Sequence, residues 1–420
     1  MPPEPLGLGL DLGTSGLRVA VLNGAGAVLA EHASPYPRGF EDPRGWQEGF
    51  VALCQHLPLD LRAAIAAVAV DGTSGTLLLA QPDGVPLGEA LPYHQACPDH
   101  AQAAADLLGP EGADQPAASA SGSLARALAL LERWGAAKSE VLLRHQADWL
   151  SGWLLADWRW GEETNNLRLG WDQEQGCWSG AIARQAWSAA LPELRAAGTP
   201  LGPLAPAVAR LLGLPESCVV VAGCTDSSAA VLAADPQPGD GVTVLGTTLV
   251  LKQFSPVPVR GPGISCQRIA GQWLVGGASN AGAGVLRQFF SDALLSELSR
   301  QIDPRRSSGL ELRPLPRRGE RFPVDDPWLE PILEPRPVSD ALYLQALLEG
   351  LAKIEVQGWD SLQRLGAPPV SRVLSLGGGA RNPQWRAIRQ RLLGVPVINR
   401  PQRSAAQGMA RLALSALPVP

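Results

Sequence analysis

The residues that most constrain this chain are Leu6 to Leu22. Leu6, Leu8, Leu10 and Leu12 alternate with small or polar residues, the period-2 pattern of a strand. Gly13-Thr14-Ser15-Gly16 turns tightly, Arg18 to Asn23 reads as a returning antiparallel strand, and Gly24-Ala25-Gly26 turns again into Val28–Glu31. This is a β-meander with Asp11 and two hydroxyls at the tip of its first hairpin. Gly13 and Gly16 carry no Cβ, so their N–H groups can come close to a ligand. Thr14 and Ser15 can donate to phosphate oxygens, and Asp11 could hold a hydrated divalent cation. Turn chemistry alone would also explain these residues.

The device recurs. Val242 to Leu251 is again strand, Gly246-Thr247-Thr248 turn, strand, which predicts an internal duplication. A length of 420 residues exceeds one ordinary core and fits two domains. Between the repeats, Val68-Ala69-Val70 reads as a strand running into the hydroxyl turn Asp71-Gly72-Thr73-Ser74-Gly75-Thr76 and then Leu77–Ala80. Cys218 to Ala222 is a buried-type strand that leads to Asp226 at a strand-to-helix turn, where Asp often serves only as a cap. Ser123–Trp134 and Ser339–Leu365 have helical patterns, and His145–Leu150 begins a further helix. Near the end, Val373–Leu376 is a strand closed by Gly377-Gly378-Gly379. Asn382 and Pro383 make N-cap and first position of a helix running to Leu393 before Gly394. Gly45-Trp46-Gln47-Glu48 reads as a loop, Leu191–Ser217 as a Pro/Gly-rich connection near a domain boundary, and Pro304–Pro337 as an ordered surface loop.

Composition removes several classes. No apolar run is long enough to span a bilayer, so no membrane partner is expected. A net charge of −5 argues against nucleic acid as main partner. The six cysteines form no CxxC pair and no zinc-like spacing with the histidines, as expected of reduced cytosolic thiols, and the N-terminus has no secretory pattern. The expected location is cytoplasmic. There is no GxxxxGK[ST], and no GxGxxG opens a helix after a strand. Two hydroxyl-tipped hairpins, a glycine triplet before a helix, and acidic residues at Asp11 and Asp226 describe a nucleotide site between two related domains.

With these residues the sequence resembles the FGGY carbohydrate kinases of the actin/Hsp70/sugar-kinase superfamily. The resemblance runs through Gly9–Ser15, Gly45–Glu48, Asp71–Thr76, Ser123-Leu124-Ala125-Arg126, His145–Trp149, Gly223–Asp226, Gly246–Thr248, Pro316–Pro323 and Gly377–Asn382. Chain length, Asp71–Thr76 and His145–Leu150 look like the short pentulose kinases of cyanobacteria and plants. The implied fold is α/β: a duplicated two-domain actin-like ATPase (ribonuclease H-like) fold with a central cleft. An N-terminal sugar-binding domain would cover 1–228 and a C-terminal nucleotide-binding domain 229–420, with the last helix able to pack back on the first domain.

The resemblance also implies roles. Asp226 matches the catalytic base that takes a proton from the sugar hydroxyl, and with Asp11 it would organise Mg²⁺. Thr14, Ser15, Gly246, Thr247 and Thr248 would bind phosphate. Gly378, Gly379 and Asn382 match the adenosine-binding turn, and Trp385 could cover the adenine or simply pack in the core. Asp11, Thr14, Ser74, Gln95 and Asp226 are the expected sugar contacts. Where the family has an aromatic residue, then Asp, then Arg, this chain has Tyr93-His94-Gln95-Ala96-Cys97, which removes charge-assisted hydrogen bonds. Arg126 replaces the family's Lys. The expected activity is ATP-dependent phosphorylation of a pentulose, D-ribulose first and D-xylulose next, by a monomer or homodimer that uses ATP and Mg²⁺. The rival readings are a catalytically weak sugar-binding relative, which intact Asp11 and Asp226 disfavour, a chaperone-like ATPase and a repressor.

Overall fold

The computed structural model describes residues 4–109, 112, 115–135 and 140–418. Its contacts divide the chain into two units. The first comprises Met1–Ala233, Arg268–Gly271 and Ser404–Pro420, and the second Ala234–Gln267 and Gln272–Arg403.

In the first unit, β1 (Leu6–Gly13), β2 (Gly16–Leu22) and β3 (Val28–Ser34) form the antiparallel meander. β4 (Ile65–Gly72) joins β1 in parallel. β5 (Leu77–Ala80) and β6 (Leu142–His145) pair as a separate ribbon. β7 (Pro200–Pro203) and β8 (Val219–Thr225) complete a six-stranded sheet of order β7-β8-β4-β1-β2-β3. The alternating leucines of β1 are fully or nearly fully buried, as the period-2 pattern requires. One face of β1 lies under the C-terminal helix Ala405–Ser415. Gly9 makes that approach possible: a Cβ there would sit 1.9 Å from the Ala406 carbonyl oxygen.

Two segments differ from the sequence reading. Gly45–Glu48 lies inside helix α1 (Pro43–Gln55), not in a loop. Asp42 caps it by accepting from Arg44 N–H, Pro43 occupies the first turn, and Trp46 is fully buried with its indole N–H donating to Phe40 O at 2.8 Å. The Asp-Pro start outweighs the interior glycine. Leu191–Ser217 is no mere connection either. It supplies β7, and Leu204, Val208, Ala209, Leu212 and Leu214 enter the core. Proline and glycine there punctuate an edge strand and a helix over Pro206–Leu212. α2 (Ser123–Trp134) and α3 (Gln146–Leu155) match their sequence patterns, and α4 (Asp226–Ala233) follows β8 directly.

The second unit repeats the plan. β9 (Asp240–Leu245) and β10 (Leu249–Ser255) form the second hydroxyl-tipped hairpin. With β11 (Ile264–Ile269), β12 (Gln272–Ser279), β13 (Arg372–Leu376) and β14 (Val397–Asn399) the sheet order is β11-β12-β10-β9-β13-β14. β13 runs parallel to β9, as β4 does to β1. α5 (Asp340–Arg364) and α6 (Pro383–Leu393) pack on it. A fully buried ion pair ties them to the sheet: Arg389 grips Glu355 at 2.6 and 2.7 Å and donates to Ser375 Oγ, while Thr243 donates to Glu355. All members of this network are hydrogen-bonded, the condition under which a buried pair is tolerated. Within Pro304–Pro337, Leu312, Leu315 and Phe322 are core residues.

Candidate active site

Register in the first sheet assembles one acidic edge. Asp11 of β1 stands opposite Asp71 of β4, and Asp71 opposite Cys224 of β8, two residues before Asp226. Three carboxylates thus arrive at the C-terminal ends of neighbouring strands, where parallel α/β sheets place their ligands.

Asp226 is the first residue of α4. Its Oδ1 accepts from the N–H of Ser227 at 2.7 Å, and Ser74 N–H also serves its carboxylate. A cap would accept from one or two residues further on, so the contacts hold the carboxylate in place at the helix start rather than cap the helix. Burial is the main cause that pushes the Asp226 carboxyl up to about 6, with the Asp11 charge adding to it and Arg168 opposing it. The Asp11 carboxyl is likewise raised by burial, against the lowering effects of Asp71 and Arg18. Asp71 is completely buried, and among the described residues neither of its oxygens meets a donor. Burial, then the charges of Asp11 and Asp226, hold it well above the carboxylate range.

Mg²⁺ fits this edge. It is held by one or two carboxylates, water and substrate phosphates rather than by a protein cage. Among the described residues no three His, Cys, Asp or Glu side chains converge to hold an ion on their own. Crowded carboxylates whose ionisation is suppressed by burial and by one another are what a divalent cation relieves.

The other sugar-side residues of the sequence reading lie in the same unit. Thr14 and Ser15 are exposed at the hairpin tip. Arg126 is fully buried and organises what faces them: its Nε donates to Gln95 O at 3.0 Å, Nη1 to Gly75 O at 3.1 Å, and Nη2 to Tyr93 O. One guanidinium therefore fixes both the Ser74–Gly75 turn and the Tyr93–Gln95 segment. A Cβ on Gly75 would lie 3.1 Å from Arg126 Nη1 and 3.6 Å from Arg168 Cδ. Asp71, Arg126 and Arg168 carry no role in the sequence reading. The only signal for Asp71 was its place in the quoted turn, and the only one for Arg126 its place in the quoted Ser123–Arg126 motif, where the family has Lys; nothing in the sequence singled out Arg168.

The second unit holds a cleft of about 550 Å³. Gly378, Gly379, Asn382 and Trp385 line it, facing Leu286, Ser299 and Arg300. Asn382 caps α6 through Trp385 N–H at 3.0 Å and donates to Ser299 Oγ at 2.9 Å, so its amide shapes the wall. Trp385 is buried beneath Gly379, where a Cβ would meet its ring at 2.4 Å, and its indole N–H has no partner among the described residues. Gly377, with φ 81°, packs on the backbone of Leu245, the residue before Gly246. Gly246-Thr247-Thr248 is pinned by Ala283 N–H to Gly246 O at 2.9 Å, and Ala283 lines the cleft. The glycine turn, second hairpin and cleft are contiguous.

Residues 241–417 match the C-terminal domain of the FGGY family of carbohydrate kinases. An L-fuculokinase from Salmonella typhi is 27% identical over 226 residues, 49% of this chain and 45% of that protein, so the chain spans about half the length of this curated relative. Among solved structures, a xylulose kinase from Brucella ovis aligns with a TM-score of 0.83 at 22% identity over 98% of this chain and 90% of that one. A xylulose kinase from Rhodospirillum rubrum gives 0.80 at 20% identity over 97% and 89%. These likenesses establish that the chain shares the two-domain α/β fold of these kinases. No helix among the described residues is long and apolar enough to cross a membrane.

Proposed function

We propose that the chain is an ATP-dependent kinase of the FGGY family that phosphorylates a pentulose, D-ribulose to D-ribulose 5-phosphate, with D-xylulose as the alternative acceptor. The observation that carries the reading is Asp226, a half-buried carboxylate held by two backbone N–H groups on the edge that also bears Asp11. The name carried by two similar folds, xylulose kinase, supports a pentulose, and the likeness of the short sequence to pentulose kinases favours ribulose.

In this reading the sugar hydroxyl donates to Asp226, its oxygen attacks the γ-phosphorus, the bond to the ADP oxygen breaks, and the proton passes to Asp226. Near pH 7 a carboxylate with a pKa of about 6 is mostly ionised yet basic enough to take that proton. Asp11 and Asp226 would hold Mg²⁺, which when bound neutralises charge on the transferred group. Thr14 and Ser15 donate to phosphate oxygens, as do Gly246, Thr247 and Thr248 from the other hairpin. The cleft under Gly378 and Gly379 takes the adenosine, with Trp385 as its floor. Ser74 and Gln95 present the acceptor.

A coupled ADP-release assay across D-ribulose, D-xylulose, L-ribulose and glycerol tests the reading. Turnover highest on a pentulose is expected. Turnover on glycerol or a hexose far above every pentulose would overturn the substrate class.

A further inference from the structure

The acceptor segment and the phosphate hairpin are joined by a bond that the proposed function leaves unused: Tyr93 Oη lies 3.1 Å from Thr14 Oγ1. The hairpin tip is steadied from its other side by Tyr36, whose hydroxyl donates to Gly13 O at 2.8 Å. Tyr93 is itself held by a chain of hydrogen bonds whose directions can be assigned. Gln146 Oε1 can only accept, and it takes the Thr73 hydroxyl at 2.9 Å. Thr73 Oγ1 then accepts from Thr76 at 2.6 Å, and Thr76 Oγ1 accepts the Tyr93 N–H at 3.1 Å. Thr73, Thr76 and Gln146 are buried, so this chain anchors Tyr93 to the core, and Arg126 holds its carbonyl from the opposite side.

We infer that Tyr93 is a positioning residue: its phenol donates to Thr14 Oγ1 and thereby turns the Thr14 proton outward, toward a phosphate oxygen. A phenol is the more acidic of the two hydroxyls and so the better donor. A hydroxyl that accepts one hydrogen bond also donates a stronger one. The latch sets the geometry of the phosphate hairpin from the segment that flanks the acceptor. It rests on the kinase reading, and without it Thr14 Oγ1 would choose among rotamers at the moment the phosphate needs a fixed donor.

A double-variant cycle tests this on the full chain. Wild type, Tyr93→Phe, Thr14→Val, Thr14→Ser and the Tyr93→Phe/Thr14→Val pair are compared in kcat, sugar KM, Mg-ATP affinity by calorimetry and melting temperature. Tyr93→Phe is expected to lower kcat about tenfold, the scale of one lost transition-state hydrogen bond. Its sugar KM and melting temperature should stay near wild type. Thr14→Val should lose as much, Thr14→Ser little, and the double variant no more than Thr14→Val alone. Losses that multiply in the double variant would overturn the latch, as would a Tyr93→Phe effect confined to sugar KM. If wild type shows no sugar-dependent turnover, the kinase reading itself falls. The calorimetric cycle then decides the latch: equal, non-additive loss of Mg-ATP affinity supports it, and additive or absent loss removes it.

Discussion

Asp226 carries opposite consequences for stability and for rate. Its folded pKa of about 6 lies above the ordinary 3.8, so between those values the native state binds more protons than the unfolded one. Stability from this group is therefore present at low pH and lost as pH rises toward about 6, and its ionisation burdens the fold above that. Asp226→Asn removes the burden. It should melt at or above wild type at pH 8, with the difference vanishing near pH 4. As base the same group must be ionised, so wild-type kcat/KM for the sugar should fall as pH drops through about 6. Differential scanning calorimetry and a pH–rate profile measure the two halves. Asp11 is tested separately. Asp11→Ala should lose most phosphoryl transfer because the transferred group lacks its organised cation, and near-normal activity across a Mg²⁺ titration would return Asp11 to turn chemistry.

At the scale of elements, Arg126 ties the Ser74–Gly75 turn to the Tyr93–Gln95 segment. Arg126→Met leaves three carbonyls without their shared donor, at about 1–3 kcal/mol for each that stays buried and unpaired. Sugar KM should rise and melting temperature fall together. The hairpins, the glycine turn and the Asn382-Pro383 helix start were legible because each is a local pattern: alternation of two, a Gly-hydroxyl turn, an N-cap before proline. Ser123–Trp134 and Ser339–Leu365 were legible from the helical period. Helix α1 was not, because Gly45 and Trp46 look like loop residues until Trp46 is seen buried against Phe40. Nor was the core role of Leu204 to Leu214, which depends on β7 pairing with β8. Asp71 and Arg126, though both stand in quoted motifs, were given no role for the same reason. Their roles exist only once strand register and loop approach bring distant residues together.

Over the whole molecule, the N-terminal strand and the C-terminal helix fold as one piece. Gly9→Ala would drive a Cβ to 1.9 Å from Ala406 O. The helix must shift, at a cost of about 1–3 kcal/mol or more, and a clear fall in melting temperature is expected. Mg-ATP binding to the full chain should raise that temperature by mass action, about 2.7 kcal/mol at a hundredfold excess over Kd. Absence of any shift or calorimetric signal at millimolar Mg-ATP would remove the cleft under Gly379 as a nucleotide site. The most direct measurement is pentulose-dependent ADP release by wild type and Asp226→Asn, with melting temperature and Mg-ATP affinity taken on the same preparations. The expected result is robust release by wild type and a loss in kcat of about a hundredfold or more in Asp226→Asn, with fold and nucleotide binding retained. A stable Asp226→Asn protein that binds Mg-ATP and turns over pentulose at the wild-type rate would contradict Asp226 as the base.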